Sequence, residues 1–127
     1  MRTDDYVSLI LSVLNRFAMA IQDYDVDFEI VEEREVIVEG RVTFKDGSYL
    51  DLAEEVLITG RGELVRLDYR YQFIAEGRPV FRYDSAPHHP KVSTFPHHKH
   101  VADQKEPEPA QPPTLNQVLL EILYEQT

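Results

Sequence analysis

Between residues 65 and 73, Val65, Leu67, Tyr69, Tyr71 and Phe73 alternate with Arg66, Asp68, Arg70 and Gln72. Successive side chains of a strand point to opposite faces, so the run predicts a strand with one buried face and one arginine-bearing polar face. Such a strand needs neighbours in a sheet and a layer covering its apolar side. The flanking sequence supplies strands. Lys45-Asp46-Gly47-Ser48 reads as a hairpin, because Asp-Gly accepts positive φ at low cost. Val36, Val38, Val42 and Phe44 precede it, with Gly40 expected at a bulge, and Tyr49, Leu50, Leu52 and Val56 to Ile58 follow. Gly60-Arg61-Gly62 and Glu76-Gly77-Arg78-Pro79 are turn signals, the second leading into Val80 to Asp84. Phe28 to Glu32 reads as a short edge strand.

The covering layer is helical. Tyr6, Leu9, Ile10, Val13, Leu14, Phe17 and Ile21 recur at spacings of three and four, with Thr3 or Asp4 as the expected N-cap. The acidic run Asp23 to Asp27 is expected to be the loop that stops this helix. Near the C-terminus, Thr114 and Gln117 form a capping-box pair ahead of Leu115, Val118, Leu119, Ile122 and Leu123. A helix that short must dock on this domain or across a dimer interface. Residues 85–100, rich in proline and histidine, are read as an irregular loop, and residues 102–113 as an extended proline-rich linker. The expected architecture is α+β: an N-terminal helix, an antiparallel meander of four or five strands, an irregular histidine-rich loop and a C-terminal helix. By this division residues 1–101 form one domain, 102–113 the linker and 114–127 the final helix.

With 127 residues, 43% of them apolar, the chain has the size of one globular domain. It has no cysteine, which excludes disulfides, thiolate metal sites and a cysteine nucleophile. No apolar run approaches a membrane span, and no leader pattern opens the chain, so no membrane partner and a cytoplasmic location are expected. The net charge is −10, but its distribution is uneven. Residues 1–60 carry 5 Lys/Arg against 14 Asp/Glu, residues 61–100 carry 7 against 4, and residues 101–127 carry 1 against 5. All five histidines lie between positions 88 and 100, inside the cationic segment. That island either binds an anionic ligand or pairs with the acidic parts of the chain.

Pro-His-His occurs at 87–89 and again at 96–98. Histidine exchanges protons near neutral pH, and arginine and lysine bind phosphate and stabilise developing negative charge. His88, His89, His97, His98, His100 and Asp84 are therefore the candidate catalytic residues. Arg66, Arg70, Arg82, Lys91 and Lys99 are the candidate substrate-binding residues. Together they have the parts for metal-free cleavage of RNA, one histidine deprotonating the ribose 2′-hydroxyl and another protonating the leaving 5′-oxygen. The competing chemistry is a metal site built from His98 and His100 with His97, His88 or His89 and Asp84. Few carboxylates are placed to offset a divalent charge, so the metal-free reading is favoured, with no metal and no cofactor. Glu54 and Glu55 rank lower as a base or ligand.

Phe81-Arg82-Tyr83-Asp84 through Pro96-His97-His98-Lys99-His100 resembles the signature of the TumE-like toxins of toxin–antitoxin modules. The likeness runs loosely upstream through Tyr69-Arg70-Tyr71-Gln72, the strand near Glu54 and the Asp46-Gly47-Ser48 hairpin, covering roughly residues 40–101. It implies a small growth-inhibiting toxin neutralised by a cognate antitoxin, commonly one with a helix-turn-helix domain. Combined with the histidines, the expected function is a toxin acting as a metal-independent endoribonuclease on RNA. A binding toxin without chemistry and a metal-dependent nuclease are the alternatives, and a homodimer is the expected form of self-association.

Overall fold

A computed structural model describes residues 1–87, 89 and 91–124. In chain order the elements are α1 (Thr3–Arg16), β1 (Ile21–Val31), β2 (Glu35–Phe44), β3 (Tyr49–Ile58), β4 (Leu64–Ala75), β5 (Arg78–Asp84), β6 (His98–Val101), β7 (Glu108–Pro109) and α2 (Leu115–Tyr124). The strands form a single antiparallel sheet in the order β1-β2-β3-β4-β5-β6-β7. The class is α+β as expected, but the sheet has seven strands rather than four or five.

The differences come from segments whose composition suggested otherwise: the expected edge strand is extended at its start, and β6 and β7 are added. Asp23 to Asp27, expected as a loop, lies inside β1, paired with Glu39 to Thr43 of β2. Strand β1 is the sheet edge and mostly exposed, so its aspartates remain solvated while the backbone pairs on one side. The end of the histidine-rich segment, expected to be irregular, is β6. Within residues 102–113, β7 pairs with β6. Gly40 sits in regular register opposite Val26 and Leu52, with no bulge. Its role is close approach, since a Cβ there would lie 2.1 Å from the Asp25 carbonyl oxygen.

One face of the sheet carries the core. Helix α1 buries Tyr6, Ile10, Val13 and Leu14. Helix α2 buries Leu115, Val118, Leu119 and Ile122. Both stripes pack with Val36, Val38, Val42, Leu50, Leu52 and Val56 in one cluster. Arg16 Nη1 donates to Asn116 Oδ1 at 2.7 Å and ties the helices together. The α1 N-cap is Arg2 rather than Thr3 or Asp4, with the Asp5 carboxylate accepting the Arg2 N–H at 2.7 Å. The expected α2 capping box is present. Thr114 N donates to Gln117 Oε1 at 2.9 Å, and Gln117 N to Thr114 Oγ1 at 3.1 Å.

The alternation in β4 is broken once. Val56 pairs with Arg66 and the preceding Glu55 with Asp68, so Leu67 is the extra residue of a bulge. An extra residue reverses which side chains reach which face. Tyr69, Tyr71 and Phe73 are buried as the alternation predicts, but Val65 and Leu67 are 41% and 46% exposed. Arg66 turns instead to the helix-covered face.

Candidate functional site

The site lies on the sheet face opposite the helices, where β4, β5 and β6 run side by side. Register sets its members: Arg70 is paired with Asp84, Asp84 with His98, and Arg82 with His100. Residues two apart on a strand share a face, so Arg82 and Asp84 stand beside His98 and His100. Lys99 and Tyr83, between them, point the other way.

Asp84 and His98 are buried, at 6% and 2% exposure. Asp84 Oδ1 lies 2.8 Å from His98 Nε2 and accepts the Ala86 N–H at 3.0 Å. Its Oδ2 accepts from Arg82 Nε at 2.8 Å. The other His98 nitrogen, Nδ1, faces the Pro96 carbonyl at 2.9 Å. Both nitrogens of this ring therefore face acceptors. His89, from the segment between β5 and β6, closes the third side. The ring centroids stand 5.1 Å apart for His89–His98, 5.4 Å for His89–His100 and 4.9 Å for His98–His100, with interplanar angles of 72°, 70° and 85°. One ring nitrogen from each of the three lies within 4.8 Å of the others. His100 Nε2 is buried with no hydrogen-bond partner among the described residues. Burial, with Arg82 and His98 alongside, pushes the His100 pKa below its ordinary value, against an opposing pull from Asp84. A hollow of about 460 Å³ adjoins Asp84 and Arg82, walled also by Glu39, Glu55, Asp68 and Arg70.

The other predicted residues are dispersed. Lys99 lies on the helix side, its Nζ 3.0 Å from Glu121 Oε2 of α2 and over the Phe81 and Tyr83 rings. Arg66 donates to Tyr71 Oη at 2.9 Å and to the Pro113 carbonyl at 2.5 Å, with its guanidinium over Tyr69. His97 stacks on Tyr69, with Nδ1 3.0 Å from the tyrosine hydroxyl. Lys91 is exposed in the segment between β5 and β6. His88 lies outside the described residues. Of the five cations expected to hold substrate, only Arg70 and Arg82 stand on the histidine face of the sheet strands.

A second polar centre sits beneath the helices. Glu54, 3% exposed, accepts from the Tyr6 hydroxyl of α1 on Oε1 and from Tyr71 on Oε2 at 2.5 Å. Glu54 alternates in phase with Leu50, Leu52 and Val56, so the sequence already marks it as a carboxylate on a core face. Four tyrosines here have raised pKa values. Burial leads in each case, aided at Tyr6 and Tyr71 by the Glu54 charge and at Tyr83 by its bond to Glu121, and Tyr69 is pushed up to about 12. The folded chain thus keeps protons that an unfolded chain releases above a pKa of about 10. Protons bound in excess by the folded state make stability fall as pH rises. Chemical denaturation should therefore show a loss of stability beginning near pH 10. Tyr71→Phe should flatten that loss, and an unchanged alkaline limb in that variant would refute the assignment.

No helix among the described residues is long and apolar enough to cross a membrane. A family profile described as Toxin TumE matches residues 10–126. That span takes in the second half of α1 and all of α2, well beyond the stretch of residues 40–101 in which the motifs are legible. Searches of curated proteins and of solved structures gave no match. The profile covers nearly the whole chain, and with it come the toxin role and a cognate antitoxin as partner: the protein belongs to the TumE toxin family.

Proposed function

We propose that this toxin inhibits growth by cleaving RNA on the sheet face opposite its helices. The observation carrying this reading is that register places Arg70, Arg82, Asp84, His98 and His100 together there. RNA carries its own nucleophile, the ribose 2′-hydroxyl, and cleavage needs that oxygen deprotonated, the leaving oxygen protonated and the phosphate charge stabilised. Arg82 uses Nε to hold Asp84, and its terminal amino groups, with no hydrogen-bond partner among the described residues, can receive a phosphate. Arg70 is exposed beside it. The proton transfers fall to the histidine cluster, directly or through a bound ion.

Two arginines and a net charge of −10 do not make a long basic groove. The face suits one scissile phosphate and its neighbour. Binding to a single-stranded RNA should then fall with salt at a log–log slope of about −1.4, for two neutralised phosphates.

The test is induced expression with and without the antitoxin, followed by RNA integrity analysis and cleavage by the purified chain. Arg70→Ala and Arg82→Ala should each slow cleavage by about 10²-fold, the scale of losing one donor to a developing charge. Arg70→Ala should leave the unfolding midpoint unchanged. Arg82→Ala should cost about 1–3 kcal/mol, because the buried Asp84 Oδ2 loses its donor. Growth arrest with intact RNA, unaffected by either substitution, would replace this reading with a toxin that only binds its target.

A further inference from the structure

The sequence favoured metal-free use of the histidines, but their packing suits a shared ion. We propose that His89, His98 and His100 form a transition-metal site, with the second nitrogen of His98 held by Asp84 or by the Pro96 carbonyl. Three imidazoles from two separate segments place one nitrogen each within 4.8 Å of the others. Two nitrogens bound to one tetrahedral zinc at about 2.0–2.1 Å stand about 3.3–3.4 Å apart, so a contraction of roughly 1 Å per side chain closes the set.

One further observation points to a ligand, and a second fixes how it would be held. His100 Nε2 is buried with no partner among the described residues, a position that a native protein seldom leaves unfilled. To ligate, His98 gives up one of its two contacts, Nε2 to Asp84 Oδ1 at 2.8 Å or Nδ1 to the Pro96 carbonyl at 2.9 Å. A ligating imidazole binds through one nitrogen and donates the other N–H to a carboxylate or a carbonyl, and His98 has one of each in place. Whichever nitrogen takes the metal, the second keeps a partner. Imidazole ligation selects zinc, copper, nickel, cobalt or iron over magnesium and calcium. Three protein ligands also leave a coordination position for water or a substrate oxygen, the arrangement of catalytic rather than structural zinc. Use of the ion in cleavage rests on the ribonuclease reading, whereas binding does not.

The experiment uses the full chain expressed without an affinity tag, stripped with chelator, and titrated with Zn²⁺ and Co²⁺. The expected result is one ion per chain, a melting temperature that climbs with zinc concentration, and visible cobalt bands of tetrahedral intensity. His89→Ala and His100→Ala should abolish stoichiometric binding while keeping the parent circular dichroism spectrum. Asp84→Asn should weaken binding by about 10–100-fold. His97→Ala should bind as the parent does, because that ring is stacked on Tyr69. Absence of saturable binding, or parent-like binding by both His89→Ala and His100→Ala, would overturn the site. Stoichiometric binding by a chain that leaves RNA intact would sink the ribonuclease reading and keep the metal site.

Discussion

Replacing Glu54 by alanine should destabilise the fold by about 3–5 kcal/mol, a large part of the 5–15 kcal/mol that holds a typical domain together. The carboxylate is the shared acceptor of two buried hydroxyls, Tyr6 on α1 and Tyr71 on β4. Its removal leaves the Tyr6 hydroxyl desolvated and without its acceptor, leaves the Tyr71 O–H with only the Arg66 donor beside it, and opens a cavity between helix and sheet. Glu54→Gln keeps the volume and one acceptor oxygen, so it should cost less, about 1–2 kcal/mol. Equilibrium urea unfolding measures both. A loss below about 1 kcal/mol for the alanine variant would show that this network is not what fixes α1 on the sheet.

Leu119→Asp should be comparably severe, at about 4 kcal/mol or more, or should prevent folding altogether. Leu119 is fully buried, at 0% exposure, where α2 meets the sheet. An unpaired carboxylate there meets no donor and displaces core volume. The next residue is the internal control: Leu120 is 40% exposed, and Leu120→Asp should change stability by no more than about 0.5 kcal/mol. Parallel melts of the two variants decide the point. If Leu119→Asp melts with the parent, α2 does not contribute its apolar stripe to the core as described.

The comparison of these two leucines shows what was legible early. Spacing identified α2, its Thr114–Gln117 cap and its buried stripe without any tertiary information, because helix periodicity and capping are set within a few residues. The Asp46-Gly47 hairpin and the burial of Tyr69, Tyr71 and Phe73 follow from equally local rules. Aspartates at 23, 25 and 27 misled in the opposite direction. Charge at alternate positions suits an exposed edge strand as well as a loop, and only pairing with β2 decides between them. In His98-Lys99-His100-Val101 the alternation of β6 is present, but four residues beside prolines carry too little periodic signal to separate a strand from a loop.

The site divides along the same line. The sequence by itself determined which chemistry was available: histidines concentrated in one cationic segment, with Arg82 and Asp84 on one side of the strand that feeds it, and motifs specific enough to suggest the toxin family. Tertiary structure decided which of those groups meet. Antiparallel register aligned Asp84 with His98 and Arg82 with His100, while strand alternation sent Lys99 to Glu121 on the far side of the sheet. The bulge at Leu67 moved Arg66 from the expected polar face into the tyrosine cluster. The physical reason is that a strand's side-chain period is two residues. A single extra residue reverses the face, and its presence depends on the partner strand rather than on the residues of the strand itself.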